Sequence, residues 1–353
     1  MQKNKIIFII SPGTIGGAER YIEDLACGLQ NRNYNILILI SHNKKYAEEI
    51  ALKFPNTTHY IGNNLWKIFC ERSGLEYVDK NSTIISSGYH SLFVSLLLRI
   101  WILFKKIKHI DIKHGWVNND RFQNIITNID KLFSMFCTYV VVVNSEMKSK
   151  LPMISSKVMN IITGIQSSFC KREFPEKQEV VRLGLVGRIE FEKRFTVGLQ
   201  IANKVAEKYP TEIHIVGDGS LKDNLIKTEC NKNVDRKFYG YVSREKVPYD
   251  NFDILLITST TEGSPLVVLE SMFSGKYIIS TNVGNLTEIL NDGRGSIIQE
   301  TNLTQLIDEI SAKVIWYHEL STDKKVQIAR EAILYANENH SLEKMVDNYI
   351  KLL

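Results

Sequence analysis

Cysteine is scarce in this chain of 353 residues. There are five, Cys27, Cys70, Cys137, Cys170 and Cys230, widely spaced and odd in number. No Cys-x-x-Cys pair occurs, so the thiols read as reduced and non-structural, as in a cytosolic protein. Long hydrophobic runs are also missing. The longest, Leu92 to Phe104, is interrupted by Arg99 and is too short to span a bilayer. The amino terminus runs straight into Ile6-Ile7-Phe8-Ile9-Ile10, which stops at Ser11-Pro12-Gly13. That pattern is a strand rather than a signal peptide. A strong charge of one sign is absent: the net charge is +5 and dispersed. It suits an anionic small molecule or an anionic membrane surface, and is too weak to argue for nucleic acid. There is no G-x-G-x-x-G fingerprint, which counts against a nicotinamide enzyme. No Asp-x-Asp stands ready to hold a divalent ion on a diphosphate, and the eight histidines form no ligand spacing. No metal is therefore expected.

What is present is an ordinary globular composition, 44% hydrophobic and 24% charged, over a length that suits two α/β domains. Short apolar runs alternate with helical stretches. Strands are expected at Ile6–Ile10, Ile36–Ile40, Thr83–Ser87, Ile110–Lys113, Tyr139–Val143 and Val158–Ile162, with helices such as Ala18–Gln30 and Ser145–Leu151. A second series has strands at Leu183–Val186, Glu212–Val216, Lys237–Tyr239, Asp253–Ile257, Tyr277–Ser280 and Ser296–Ile298. Helices Phe195–Lys208 and Leu266–Phe273 belong to it, and a long helical stretch begins at Asn302. Continuous apolar runs are the signature of parallel strands covered on both faces. Two such series imply two doubly wound domains, residues 1–166 and 180–340, joined by the polar segment Ser167 to Glu179, with a last helix over 341–353. Ligands of such sheets bind beyond the carboxyl ends of the strands, and the cleft between two domains is the default site.

The most informative segment is Thr261-Glu262-Gly263-Ser264-Pro265-Leu266-Val267-Val268-Leu269-Glu270. It follows a buried strand, so Glu262 falls in a loop and Glu270 inside a helix. Ser264 suits the helix cap and Pro265 its first position. Amides at such a helix start attract a phosphate or a sugar oxygen. Glu270 sits among apolar residues, and a buried carboxylate needs donors, which two ribose hydroxyls would supply.

A second segment, Gly187-Arg188-Ile189-Glu190-Phe191-Glu192-Lys193-Arg194, follows the first strand of the second series. Arg188 and Lys193 together suit a diphosphate and would stabilise charge on a departing nucleotide. A solvated charged turn is the other reading. Gly16 and Gly17 stand at a strand-to-helix turn and allow close approach of a ligand, or serve the turn alone. His114 follows the strand Ile110–Lys113, where a site residue belongs, although a lone histidine is more often structural or solvated. Gly217-Asp218-Gly219-Ser220 and Phe238-Tyr239-Gly240-Tyr241-Val242 are strand ends that either line a nucleotide site or make tight turns. Leu92 to His109 is apolar around Trp101 and then basic at Lys105, Lys106 and Lys108. It reads as a core helix with a solvated basic end or as a peripheral membrane contact.

Taken together, Gly-Gly-Ala-Glu-Arg at 16–20, Val143-Asn144-Ser145-Glu146, Gly187-Arg188 with Lys193, Val216-Gly217-Asp218-Gly219, and Glu262-Gly263-Ser264-Pro265 with Glu270 resemble family GT4 of the retaining glycosyltransferases, glycosyl transferases group 1. The resemblance covers nearly the whole chain. It implies a GT-B fold: two Rossmann-like domains facing a cleft, the first on the acceptor side, the second binding the nucleotide sugar, and the last helix crossing back to the first. It further implies that Arg188 and Lys193 hold the donor diphosphate, Glu270 binds the ribose, and Glu262 faces the donor sugar. The backbone of Gly263, Ser264, Pro265 and Leu266 would touch sugar and phosphate, and Tyr241 and Val242 the base. Gly16 and Gly17 would close on the donor, and His114 would approach the sugar from the first domain.

The activity implied is metal-independent transfer, without a cofactor, of a hexosyl or N-acetylhexosaminyl unit. The donor would be a nucleoside diphosphate sugar, UDP-linked, and the acceptor a glycan or lipid-linked glycan, in bacterial-type surface polysaccharide synthesis at the cytoplasmic face of the membrane. Thr163-Gly164-Ile165-Gln166, Gly284-Asn285 and His114-Gly115 depart from the family pattern, so donor identity does not carry over. The alternatives are a sugar-nucleotide epimerase of the same fold, whose extra acid–base groups are not identifiable, and a non-catalytic partner subunit.

Overall fold

A computed structural model of the chain describes residues 5–12, 16–63, 77–79, 81–101, 107–115, 121–166, 179–262, 266–299 and 302–353. It divides into two compact units, Met1–Gln166 with Ser341–Leu353, and Ser167–His340.

In the first unit the strand order is β3 (Thr58–Gly62), β2 (Asn35–Ser41), β1 (Lys5–Ile10), β4 (Thr83–Ser87), β5 (Lys108–Lys113), β6 (Tyr139–Val142) and β7 (Val158–Asn160). Neighbours pair in parallel throughout. The apolar run of β1 explains itself by its alternation. Ile6, Phe8 and Ile10 enter one core with Tyr21, Leu25 and Leu29 of helix α1 (Gly17–Asn31). Ile7 and Ile9 enter the opposite core with Leu37, Leu39, Ile84 and Val94. A strand covered on both faces has no polar side to show. Helices α2 (Lys44–Lys53), α3 (Tyr89–Trp101), α4 (Arg121–Ser134) and α5 (Ser145–Ser149) complete the described part of this unit's helices before the second sheet.

In the second unit the order is β10 (Val234–Gly240), β9 (Thr211–Val216), β8 (Val181–Val186), β11 (Ile254–Ile257), β12 (Tyr277–Thr281) and β13 (Ser296–Ile298), again parallel. Its helices are α6 (Phe195–Val205), α7 (Lys222–Lys227), α8 (Leu266–Phe273), α9 (Leu286–Leu290), α10 (Leu303–Glu319) and α11 (Thr322–His340). Leu183 and Leu185 pack with Leu199, Ile201 and Val205 of α6 and with Leu306, Ile310 and Val314 of α10. Here β8 lies between β9 and β11, so the chain leaves it in opposite directions on its two sides. That reversal opens a crevice at the carboxyl end, where α/β sheets bind ligands.

The chain's last helix, α12 (Leu342–Ile350), joins the first unit and packs on α1. Leu342, Met345, Val346 and Tyr349 enter the same core as Ile6 and Phe8. Burial of each such side chain stabilises by about 1.5–3 kcal/mol. The approach is close at Gly28, where an added Cβ would lie 2.4 Å from Val346 Cγ2.

The fold is the doubly wound pair expected, with local differences. Strand β3 was not anticipated. It is an edge strand reading Thr-His-Tyr-Ile-Gly, with a single buried side chain, Ile61. The long helical stretch from Asn302 is two helices, because Leu320 is extended between them (φ −62°, ψ 147°). The polar segment 167–178 and the proposed cap at Ser264 and Pro265 lie outside the described residues. So do Lys105, Lys106 and the side chain of Trp101. Lys108 is tied down instead: its Nζ donates to the carbonyl oxygens of Leu352 and Leu353. Leu92 and Val94 are core residues. Among the described residues no helix is long and apolar enough to cross a membrane.

Candidate functional site

The loops that leave β8 and β11 stand side by side because those strands are neighbours. The first turns at Gly187 (φ +147°), which packs against Gly217 (φ +142°) after β9. A Cβ on Gly217 would fall 1.8 Å from the Gly187 carbonyl oxygen, so this crossing demands glycine. The loop then passes Arg188 and Glu190, makes a tight turn at Phe191–Lys193, and enters α6 through Arg194. Glu190 accepts from the Ser220 amide (2.9 Å) and hydroxyl (2.6 Å), which fastens the loop to the turn after β9. Arg194 is left-handed (φ 49°, ψ 45°), a conformation costing a non-glycine residue about 1–2 kcal/mol.

Lys193 and Glu262 meet. The Lys193 Nζ is 2.6 Å from Glu262 Oε1, and Ser259 Oγ donates to the same oxygen at 2.6 Å. The Glu262 side chain is 8% exposed and that of Lys193 20%, so the pair is shielded and worth more than a surface ion pair. Backbone bonds hold the two loops in register. Thr258 Oγ1 donates to the Lys193 carbonyl (2.8 Å), and the Thr260 amide to the Glu192 carbonyl (2.8 Å). Behind them Thr281 Oγ1 donates to the Ser259 carbonyl at 2.7 Å.

Glu270, in α8, is largely buried and its donors come from the chain. Arg244 Nε lies 2.6 Å from Oε1, and Tyr249 donates its hydroxyl to Oε2 at 2.5 Å. The expectation that ribose hydroxyls are needed to satisfy this carboxylate is thereby corrected. A carboxylate has about four lone-pair directions, so two remain after these bonds. Arg244 and Tyr249 lie between β10 and β11, in the connection that also carries Tyr241 and Val242. Tyr241 is 60% exposed. Leu266 is buried at the start of α8, and Gly263, Ser264 and Pro265 are outside the described residues. Arg188 does not join the shielded pair. It is half exposed and reaches Glu192 at 3.4 Å.

In the first unit, Gly16 and Gly17 open α1, and the Gly16 amide is already bonded by Glu19 Oε2 at 2.8 Å. His114 follows β5. Its Nε2 lies 3.1 Å from Ser87 Oγ at the end of β4, and the Tyr21 ring meets it edge-on at 4.9 Å. Burial, and secondarily the Lys113 charge, lower its pKa to about 4, so the ring is neutral near pH 7. Lys113 itself is buried between Asp111 (2.6 Å) and Asp130 (2.5 Å). Burial works against its charge, but the two carboxylates prevail and raise its pKa. Among the described residues no three His, Cys, Asp or Glu side chains gather as metal ligands.

Sequence reading missed Arg194, Arg244, Tyr249 and the Asp111–Lys113–Asp130 cluster. The last had a signal: Asp111 and Lys113 alternate with Ile110 and Ile112 in a strand and so share one face. Arg244 and Tyr249 had none, since only folding brings them to Glu270.

Residues 167–334 match the family model for glycosyl transferases group 1. The chain is 25% identical over 346 residues to the O-antigen biosynthesis glycosyltransferase WbnH of Escherichia coli, covering 95% of this chain and 96% of that protein. It is 26% identical over 175 residues to the poly(ribitol-phosphate) alpha-N-acetylglucosaminyltransferase of Staphylococcus aureus, covering 48% of this chain and 34% of that protein. Among solved structures, Anabaena HepE in complex with UDP-glucose superposes with a TM-score of 0.79 at 16% identity, over 99% of this chain and 98% of that one. The matched half carries the loops of Lys193, Glu262 and Glu270, and the superposition extends over both parallel sheets. Residues 167–334 belong to the glycosyl transferases group 1 family, the retaining GT4 glycosyltransferases, and the chain has the GT-B fold.

Proposed function

We propose that this glycosyltransferase moves a hexosyl or N-acetylhexosaminyl unit from a UDP-linked sugar to a glycan acceptor, lipid-linked, in the synthesis of a bacterial-type surface polysaccharide. The observation that carries the reading is the shielded Lys193–Glu262 pair at the strand reversal of the second sheet. An ammonium has three donors, and one is spent on Glu262. The other two are free in geometry to meet a diphosphate, with Arg188 as a second, more exposed cation. Glu262 orients the sugar, and the two open lone-pair directions of Glu270 take the ribose hydroxyls. Tyr241 and Val242 face the base, and the start of α8 at Leu266 faces the sugar and phosphate. His114, neutral, takes part in transfer at the sugar. The choice of UDP is supported by HepE, whose structure holds UDP-glucose. The choice of acceptor is supported by WbnH, an O-antigen biosynthesis enzyme.

In this reading the acceptor hydroxyl attacks the anomeric carbon on the face the diphosphate leaves. The departing phosphate oxygen takes the hydroxyl proton, and the protein aligns the reactants and stabilises the charge that develops. The test is a thermal-shift panel of UDP-glucose, UDP-galactose, UDP-N-acetylglucosamine and GDP-mannose. One UDP sugar should raise the melting temperature above the rest, since a ligand at a hundred times its Kd adds about 2.7 kcal/mol to the folded state. Stabilisation by GDP-mannose alone, or by none of the four, would contradict the reading.

A further inference from the structure

Arg194 directly follows Lys193 and continues a basic run, yet its side chain turns away from the shielded ion pair. Its Nε donates to the Thr258 carbonyl at 2.6 Å, and its Nη2 reaches the Ser259 carbonyl at 3.4 Å. Both acceptors belong to buried residues, 1% and 3% exposed. The tie is reciprocal, because Thr258 Oγ1 donates back to the carbonyls of Lys193 (2.8 Å) and Arg194 (3.1 Å). Arg194 is held left-handed (φ 49°) at the entry to α6. Glycine would take that conformation more easily, so the backbone alone gives no reason for arginine. The side chain does. One guanidinium closes over the end of β11 from the loop of β8, three residues before Glu262 and one residue after Lys193.

We propose that Arg194 is a positioning residue for glycosyl transfer: it fixes the spacing of the loops that carry Lys193 and Glu262, without itself touching the donor. This rests on the assignment of Lys193 and Glu262 to the donor. A planar fork can bond two successive carbonyls at once, which an ammonium does less well. Loosening it shifts the Lys193 ammonium relative to Glu262, and binding of a diphosphate falls with it.

The experiment is a double-mutant cycle on the full chain, read as the UDP dissociation constant by calorimetry. Its members are the wild type, Lys193→Ala, Arg194→Gly and the double variant. Arg194→Gly should weaken UDP about fivefold or more, with Arg194→Lys in between. Because Arg194 acts through Lys193, the double variant should bind UDP within about twofold of Lys193→Ala. Amide exchange at Thr260, whose bond to Glu192 spans the two loops, should speed up in Arg194→Gly. If Arg194→Gly leaves UDP affinity unchanged, or if the losses multiply in the double variant, the positioning role is overturned while the donor site stands. If Lys193→Ala itself binds UDP like the wild type, the donor assignment fails and this role falls with it. Should Arg194→Gly not fold, the same cycle with Arg194→Lys decides between the outcomes.

Discussion

The hydroxyls of Tyr21 and Tyr349 are hydrogen-bonded at 2.9 Å across 328 residues of sequence, both buried. Tyr21 stands on α1 and meets the His114 ring edge-on; Tyr349 stands on the last helix. A single ring therefore links the end of the chain to a residue of the implied site. The bond also shows why the last helix belongs to the first unit: its apolar face completes that core, and its one buried polar group finds a partner there.

Tyr349→Phe keeps the packing and leaves the Tyr21 hydroxyl buried without this partner. The expected loss is about 1–3 kcal/mol, read by urea denaturation. Gly28→Ala should also destabilise, because its Cβ would lie 2.4 Å from Val346 Cγ2 and that side chain must shift, a cost that exceeds the roughly 1 kcal/mol alanine gains over glycine in a helix. Wild-type stability in Gly28→Ala would mean that α12 is not seated on α1 in solution.

His114 gives the first unit a pH dependence. Its folded pKa, about 4, is lowered from 6.5 first by burial and then by Lys113. Between those values the unfolded chain binds a proton that the folded chain does not. Stability therefore falls as pH drops from about 6.5 towards 4, and this contribution levels off below. The ring retains some exposure, which trims the size of the effect. Urea denaturation at about pH 7 and about pH 5 should show a smaller loss in His114→Gln than in the wild type. Equal losses would remove His114 as the source.

Lys193→Ala should lower kcat by about 10²–10³, the usual size for loss of a donor that meets transition-state charge. It should also destabilise the second unit by about 1–3 kcal/mol, because Glu262 keeps only the Ser259 hydroxyl among its described partners. Steady-state kinetics and a melting curve on the same preparation check both. Wild-type kcat would reject the role.

The architecture was legible where burial is two-sided. Runs such as Ile6–Ile10 carry no polar residue, and only a strand covered on both faces tolerates that. Strand β3 was not legible, because an edge strand with one buried side chain looks like a turn. The candidate site was legible where it is local: Lys193 and Glu262 stand in the loops after strands and Glu270 in the following helix. It was not legible where folding joins distant loops. Tyr249 is 21 positions from Glu270, and no short-range pattern predicts that it donates there. The Arg188–Lys193 clamp looked like one unit in sequence. In the structure the two cations differ, one exposed beside Glu192 and one shielded on Glu262.

On the function proposed, the loops around Lys193, Glu262 and Glu270 receive a uridine diphosphate. Calorimetric titration of UDP into wild type and Glu270→Gln, at one fixed salt concentration, tests it most directly. Glu270→Gln should raise the UDP dissociation constant at least tenfold, about 1.4 kcal/mol, and should also lower the melting temperature of the free protein, because the carboxylate that pairs with Arg244 is gone. Equal UDP affinity in the two proteins would contradict the account.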